Sequence, residues 1–351
     1  MRILVVAPSW LGDTLIAQPL MTLLKRADPQ ARTPVRLEVL APAWSAPLLS
    51  RMSEVDAVID NPFAHGEFNL RGRWRLGRQL GRHSAGADFS AAAGFSRAYV
   101  LPNSWKSALL PFFAGIPQRI GYHGEARYRL LTDRRPLDVA RHPQLVQRYA
   151  ALALPAGAEL PAELPRPHLN SSPAQQQAAR RALGLPEDAA PFIFCPGAEY
   201  GPAKRWPAAH FAILAQRLAS THSPVWLLGS GKDAALGADI AAAAGGAALN
   251  LCGRTSIEQA IDLIATARAV VSNDSGLMHV AAALDRPLAA LYGSSSPGYT
   301  PPLSPQAKIL NRNLPCSPCF KRECPLGHFD CLNGLLPETV AAAIATSYPV
   351  Q

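Results

Sequence analysis

Several short stretches of this chain carry side chains whose types and spacing could do chemistry. VVAPSWLGDTLIAQPL (5–20) runs from an apolar strand into a loop that ends at Gly12-Asp13, where a helix should begin. Nucleotide-binding folds place a glycine-rich phosphate loop at that point, but here there is one glycine, followed by a carboxylate. CPGAEYGPAKRWP (195–207) sets Lys204 and Arg205 just ahead of another helix. Backbone N–H groups and the helix dipole favour anions there, and a lysine adds a point charge suited to a diphosphate. A solvated basic turn has the same spacing. VSNDSGLMHVAAALDRP (271–287) puts Asp274 at the end of a buried strand, Ser275-Gly276 in a tight turn and His279 one turn into the next helix. Ser275 and His279 stand four residues apart and share a helix face. Such a cluster at the carboxyl edge of a parallel strand is where these sheets take ligands, although a lone histidine on an apolar helix also occurs as a satisfied core residue.

Three further stretches are less specific. GSGKDAA (229–235) lacks the third glycine of a dinucleotide fingerprint and follows the wrong strand, which leaves it a loop for ribose or base. In LRGRWRLGRQLGR (70–82), Arg71, Arg75, Arg78 and Arg82 form one helical stripe, with Arg73 and Trp74 beside it. The stripe suits a phosphate-bearing or membrane surface, or is merely a solvated face. Finally, CSPCFKRECPLGHFDC (316–331) spaces Cys316, Cys319, Cys324 and Cys331 as C-x2-C-x4-C-x6-C, with His328 among them. Thiolates at that spacing can share one tetrahedral zinc, or stay reduced and packed; stable disulfides do not suit a cytoplasmic protein. No D-x-D occurs, so nothing supports a metal-bridged diphosphate.

Alternating strands and helices must position these groups. RILVVA (2–7), VRLEVLAP (35–42), AVIDNP (57–62) and RAYVLP (97–102) read as strands, with helices at 14–27, 44–52, 70–82 and 103–115 between or after them. Wholly apolar strands alternating with helices predict a parallel sheet covered on both faces. The proline-rich stretch 160–175 reads as a linker, after which the pattern restarts. FIFCPG (192–197), VWLLGS (225–230), AVVSND (269–274) and PLAALYG (287–293) are the new strands. Helices are expected at 207–219 with Pro207 first, at 233–245, and at 255–267 with Thr255 and Glu258 at capping-box spacing. Two doubly wound α/β domains result, 1–165 and 166–336, with strand ends facing a cleft and a last helix in 337–351 packing back on a domain.

The 351 residues carry a net charge of +9. Residues 1–165 hold 20 Lys+Arg against 13 Asp+Glu, and residues 166–351 hold 14 against 12, so the excess of +7 sits in the first half. That bias predicts an anionic partner there. Nucleic acid is disfavoured because no binding module accompanies the charge. No apolar run approaches a membrane span, and MRILVVAPSW reads as a strand rather than a signal peptide, so a cytoplasmic protein is expected.

Taken together, SWLGD, GAEYGPAKRWP and SNDSGLMH resemble glycosyltransferase family 9, the bacterial heptosyltransferases. PNSWKSALLPFFAGIPQRIGY (102–122) and the cysteine run extend the resemblance over almost the whole chain. Only 31–35 and 83–96 look irregular. The resemblance implies a GT-B fold, with acceptor bound by the N-terminal domain and ADP-heptose by the C-terminal one. It implies inverting transfer of L-glycero-D-manno-heptose to the first heptose of the lipopolysaccharide inner core, or another specificity of the family. The work would be done at the anionic cytoplasmic face of the inner membrane. An acceptor hydroxyl must lose its proton as it attacks, and Asp13 matches the family's general base. Lys204 matches the lysine that holds the diphosphate. Asp274, Ser275, Gly276 and His279 match the donor-binding turn, with Asp233 near the ribose and Thr255 near the adenine. Lys106, and with it Arg71, Arg75 and Arg78, would face the acidic acceptor. Glu199 and Tyr200 replace small hydroxyl residues of the first-heptose enzymes and weaken a donor contact there. No cofactor is implied beyond the donor substrate. A dehydrogenase would need G-x-G-x-x-G after a domain's first strand, which neither domain supplies. A non-catalytic binding module would leave Asp13 without a task.

Overall fold

The computed structural model describes residues 1–26, 34–64, 66–82 and 94–345. The irregular stretches noted at 31–35 and 83–96 lie largely outside these residues. The chain divides into two units, Met1–Arg166 and Pro167–Gln351.

In the first unit six parallel strands stand in the order β3-β2-β1-β4-β5-β6. They are β1 (Arg2–Val6), β2 (Arg36–Ala41), β3 (Ala57–Asp60), β4 (Phe95–Val100), β5 (Gln118–Tyr122) and β6 (Asp133–Arg135). The central strand is the most apolar: Ile3, Leu4 and Val5 are fully buried, as a strand covered by helices on both faces must be. The second unit repeats the plan with β7 (Phe192–Cys195), β8 (Val225–Leu227), β9 (Ala248–Asn250), β10 (Ala269–Asn273), β11 (Leu288–Leu291) and β12 (Ala307–Leu310). Its order, β12-β11-β10-β7-β8-β9, is the first one renumbered and read from the other edge. Both sheets therefore reverse direction of winding beside their first strand, between β1 and β4 and between β7 and β10. A doubly wound sheet opens a crevice at that point.

The doubly wound parallel architecture is the one expected, but several elements differ in detail. β5, β6, β9 and β12 have no apolar run to betray them; β6 is Asp-Arg-Arg, an edge strand whose Arg135 donates to the carbonyls of Ala151 and Leu154 at 2.7 Å. The helix expected at 14–27 starts earlier and is broken. Leu11–Ile16 and Gln18–Arg26 are separate helices around Ala17, with Pro19 in the first turn of the second. Pro173 does not belong to a linker: it opens the helix Pro173–Leu183, capped by Ser172 and Gln175 and closed by Gly184 at φ +66°. Pro207 is the N-cap rather than the first residue of Ala208–Leu218. The capping box near 255 is formed by Ser256 and Gln259, one residue beyond Thr255 and Glu258. The final helix, Pro337–Ala345, buries Val340 and Ile344 in the core of the second unit.

Candidate active site

At the switch point of the first unit, β1 runs into the helix Leu11–Ile16 through Trp10, whose extended backbone (φ −118°, ψ 140°) begins the helix without a side-chain cap. Gly12 is therefore the second helical residue and not the hinge of a tight turn. Asp13 follows it in the first turn, half-buried, with its carboxylate at the positive end of the helix dipole. Thr14 locks the junction by donating its hydroxyl to the Trp10 carbonyl at 2.9 Å.

Across the switch point, β4 leads through the loop 101–104 into the helix Trp105–Phe113, whose first turn carries Lys106. Arg127, 2% exposed, pins that loop: Nη1 donates to the Pro102 carbonyl at 2.6 Å, Nη2 to Asn103 Oδ1 at 3.3 Å and Nε to the Tyr122 carbonyl at 3.1 Å. A side chain on Gly124 would meet the Asn103 carbonyl at 2.3 Å, so only glycine lets the two strands of the loop close. Lys106 itself donates to the Gly66 carbonyl at 2.9 Å. Arg71, Arg75, Arg78 and Arg82 are exposed along the helix Leu70–Arg82, next to exposed Phe68, Leu70 and Trp74. Arg73, beside the stripe, lies off its exposed face. It turns inward at 6% exposure, lies 4.3 Å over the Phe63 ring and donates to the Glu67 carbonyl at 3.1 Å. Burial lowers its pKa, and Glu67 offsets part of that effect.

In the second unit both flanking loops of the switch point carry expected residues, and the structure brings them together. Lys204 ends the short 3₁₀ turn Pro202–Lys204 after β7, and Asp274 follows β10. Lys204 Nζ lies 2.6 Å from Asp274 Oδ2, with side-chain exposures of 19% and 5%. A buried carboxylate at this distance fixes where the ammonium points. Ser275 is the extended N-cap of Gly276–Ala283, and no side chain caps that helix. Here too the expected tight turn is a direct entry into the helix, with Gly276 its first residue. His279 is buried, and its pKa is pushed down to about 4, chiefly by burial; Asp274 raises it and Lys204 lowers it further. The imidazole is therefore neutral at pH 7.

Asn273, which sequence reasoning passed over inside SNDSG, welds the two loops. Fully buried, it donates Nδ2 to the Pro196 carbonyl at 2.7 Å and accepts the Trp206 N–H at 3.0 Å. Trp206 is anchored in turn by its indole N–H to the Leu335 carbonyl at 2.7 Å. An asparagine ending an apolar strand, where β-propensity disfavours it, is the signal that could have found it.

The remaining expected residues are placed as follows. Asp233 is buried, and its Oδ2 accepts the Ser230 N–H at 2.9 Å and hydroxyl at 2.7 Å. Its carboxylate also fills the space over Gly197, where an added Cβ would approach to 2.5 Å. Thr255 is half-buried just before the helix Ile257–Ala265. Glu199 pairs with Lys232, and the Tyr200 ring lies 5.4 Å from both Lys204 Nζ and the Arg322 guanidinium. Among the described residues no group of three or more Asp, Glu, His or Cys side chains stands at metal-binding spacing.

Known proteins share this arrangement. The profile described as "Glycosyltransferase family 9 (heptosyltransferase)" matches residues 74–330. Lipopolysaccharide heptosyltransferase 2 of Salmonella typhimurium is 45% identical over 349 residues, covering 97% of this chain and 96% of that protein. Its Escherichia coli namesake is 44% identical with the same coverage. Among solved structures, E. coli ADP-heptose lps heptosyltransferase II superposes with a TM-score of 0.85 at 41% identity, over 99% of this chain and 98% of that one. By profile, full-length identity and fold, the chain belongs to glycosyltransferase family 9.

Proposed function

We propose that this glycosyltransferase moves L-glycero-D-manno-heptose from ADP-heptose to the first heptose of the lipopolysaccharide inner core, with inversion. The carrying observation is the Lys204–Asp274 pair beside the uncapped helix at Gly276, a fixed cation and a dipole aimed where a diphosphate would leave. The near-half identity to proteins named lipopolysaccharide heptosyltransferase 2 selects the acceptor.

The acceptor hydroxyl attacks the anomeric carbon as the bond to the ADP oxygen breaks. Its proton passes to the Asp13 carboxylate, and the new charge on the β-phosphate is met by Lys204 and the N–H groups of Ser275 and Gly276. His279, neutral beneath this turn, holds its shape without adding charge. Asp233 supports the donor loop through Ser230, and Thr255 lies toward the nucleoside end. The second unit thus takes the donor and the first unit the acceptor.

Lys106, Arg71, Arg75 and Arg78 meet the phosphates and carboxylates of the lipid-linked acceptor. Exposed Phe68, Leu70 and Trp74 beside them suit peripheral docking on an anionic membrane, at about 1 kcal/mol per arginine. Among the described residues no helix is long and apolar enough to cross a membrane.

The test is turnover of ADP-heptose with purified acceptors bearing no, one or two heptoses. Product from the one-heptose acceptor alone is expected. Product from the heptose-free acceptor would reassign the enzyme to the first transfer.

A further inference from the structure

Residues 311–329 join β12 to the helix Asp330–Asn333 with no regular structure, and not one of them is buried. A segment of that length inside a compact domain needs something other than an apolar core to order it. Its turns are also costly: Asn313, Phe320 and Phe329 hold φ near +50° without being glycine. Yet Cys316, Cys319, Cys324 and Cys331 all line one cavity of about 20 Å³, with His328 and Ala203 in its wall. That volume admits an ion or a water and no organic ligand. The four thiols are half-buried, unlike Cys195 and Cys252, which are core residues, so packing does not account for them.

The same segment backs the turn that carries Lys204. The Arg322 carbonyl accepts the Ala203 N–H at 3.0 Å, and a Cβ on Gly201 would stand 2.6 Å from that oxygen. The Phe320 carbonyl accepts the Tyr200 hydroxyl at 2.8 Å, and the Phe320 N–H reaches the Ser294 carbonyl at 2.7 Å.

We propose that Cys316, Cys319, Cys324 and Cys331 bind one zinc ion through four sulfurs, and that this knot holds the Lys204 turn in place. The four residues line the shared cavity, though among the described residues no group stands at metal-binding spacing, so the ion has to draw the sulfurs together. Four S–H protons leave to solvent as four Zn–S bonds form, with no change of oxidation state. His328 is not required, since its Nδ1 already accepts the Asp330 N–H at 2.9 Å.

The metal half of the proposal is independent of the transferase reading; the positioning half rests on it. Elemental analysis of full-length protein purified without chelating resin should find about one zinc per chain, released as a mercurial titrates the thiols. Cys324→Ser and Cys331→Ser should each lower occupancy roughly tenfold or more, while Cys252→Ser keeps the ion. Folded wild-type protein without zinc, whether its thiols are free or oxidised to disulfides, would overturn the site, and stoichiometric iron would overturn the choice of zinc. For the positioning half, folded Cys324→Ser should raise KM for ADP-heptose several-fold with KM for the acceptor unchanged. Unchanged donor KM in a zinc-free variant would limit the ion to holding the segment. Failure of ADP-heptose as a donor with any acceptor would sink the functional reading and leave the zinc count standing.

Discussion

The two switch-point helices, Leu11–Ile16 and Gly276–Ala283, start in the same way and are held differently. Each follows a buried parallel strand, each begins at an extended residue without a side-chain cap, and each carries an aspartate beside its first turn. Around Asp13 the junction is half-open: Trp10 is 50% exposed and Asp13 half-buried. Around Asp274 it is closed by buried Asn273, Ser272 and His279 and by half-buried Lys204. A group that must give and take a proton needs access to its reactant. A group that must neutralise a leaving phosphate needs a fixed position in low dielectric. The contrast predicts that rate and stability are separable at the first junction and inseparable at the second.

The largest effect should come from the first. Asp13→Ala removes the proposed proton acceptor, and turnover should fall by about 10²–10⁴-fold. Its charge also meets the positive end of the helix dipole, worth about 0.3–1 kcal/mol, and the loss of rate should far exceed the loss of stability. ADP-heptose should still bind, measured by calorimetry. A large loss of stability in this variant would erase the contrast, and near-normal turnover would remove Asp13 from the mechanism.

Lys204→Ala should do both kinds of damage. It strips the diphosphate of its cation and leaves the Asp274 carboxylate, 5% exposed, without its partner. Breaking a buried pair costs about 3–5 kcal/mol, and the partial exposure of Lys204 puts the expected loss at the lower end. Donor affinity and melting temperature should fall together. Replacing both partners, Lys204→Met with Asp274→Asn, should recover much of the stability and none of the donor binding. If the double variant regained donor affinity, the anion site would lie elsewhere.

How much of this was legible beforehand follows from the same contrast. Asp13, Lys204 and Asp274 announce themselves because a charge beside a wholly apolar strand is anomalous in one dimension. The doubly wound plan was equally readable, from apolar strands such as Ile3–Val6 and Ala269–Val271 alternating with helices. Asn273 and Arg127 were not, because Asn273 bonds to residues 67 and 77 positions away and Arg127, besides a local bond to Tyr122, to residues 25 and 24 positions away. The inward course of Arg73 was not readable for the same reason: Phe63 and Glu67 decide where its side chain goes. The strand β6 was unreadable because its order comes from Arg135 reaching the end of the helix Leu145–Ala153, and none comes from apolar burial.

Asn273→Ala sharpens the comparison from inside the weld. It leaves the Pro196 carbonyl and the Trp206 N–H buried without partners, at about 1–3 kcal/mol each. The second unit should melt several degrees lower, at about 2–4 °C per kcal/mol. KM for the donor should rise as the Lys204 loop loosens. Asn273→Asp restores the acceptor for Trp206 and not the donor for Pro196, so it should recover only part of the loss. Equal effects from both variants would mean that the bond to the Pro196 carbonyl, and neither the cavity nor the bond from Trp206, sets the cost.

The smallest expected effect distinguishes the junctions by pH. The folded pKa of His279 lies at about 4 against the ordinary 6.5, because burial opposes its charge more than Asp274 favours it. The unfolded chain therefore binds more protons between those values, and the native state loses stability as pH falls. The contribution is intact above pH 6.5 and disappears progressively toward pH 4, amounting to about 2 kcal/mol between pH 7 and pH 5. Urea unfolding of the wild type should show that slope, and His279→Gln should flatten it. Lys204→Ala should flatten it partly, because the ammonium is one of the charges holding the imidazole neutral and its removal lets His279 take up a proton at higher pH. Asp13→Ala should leave the slope untouched. An equal change of slope in that variant would show that acid sensitivity is a property of the whole chain and not of the welded junction.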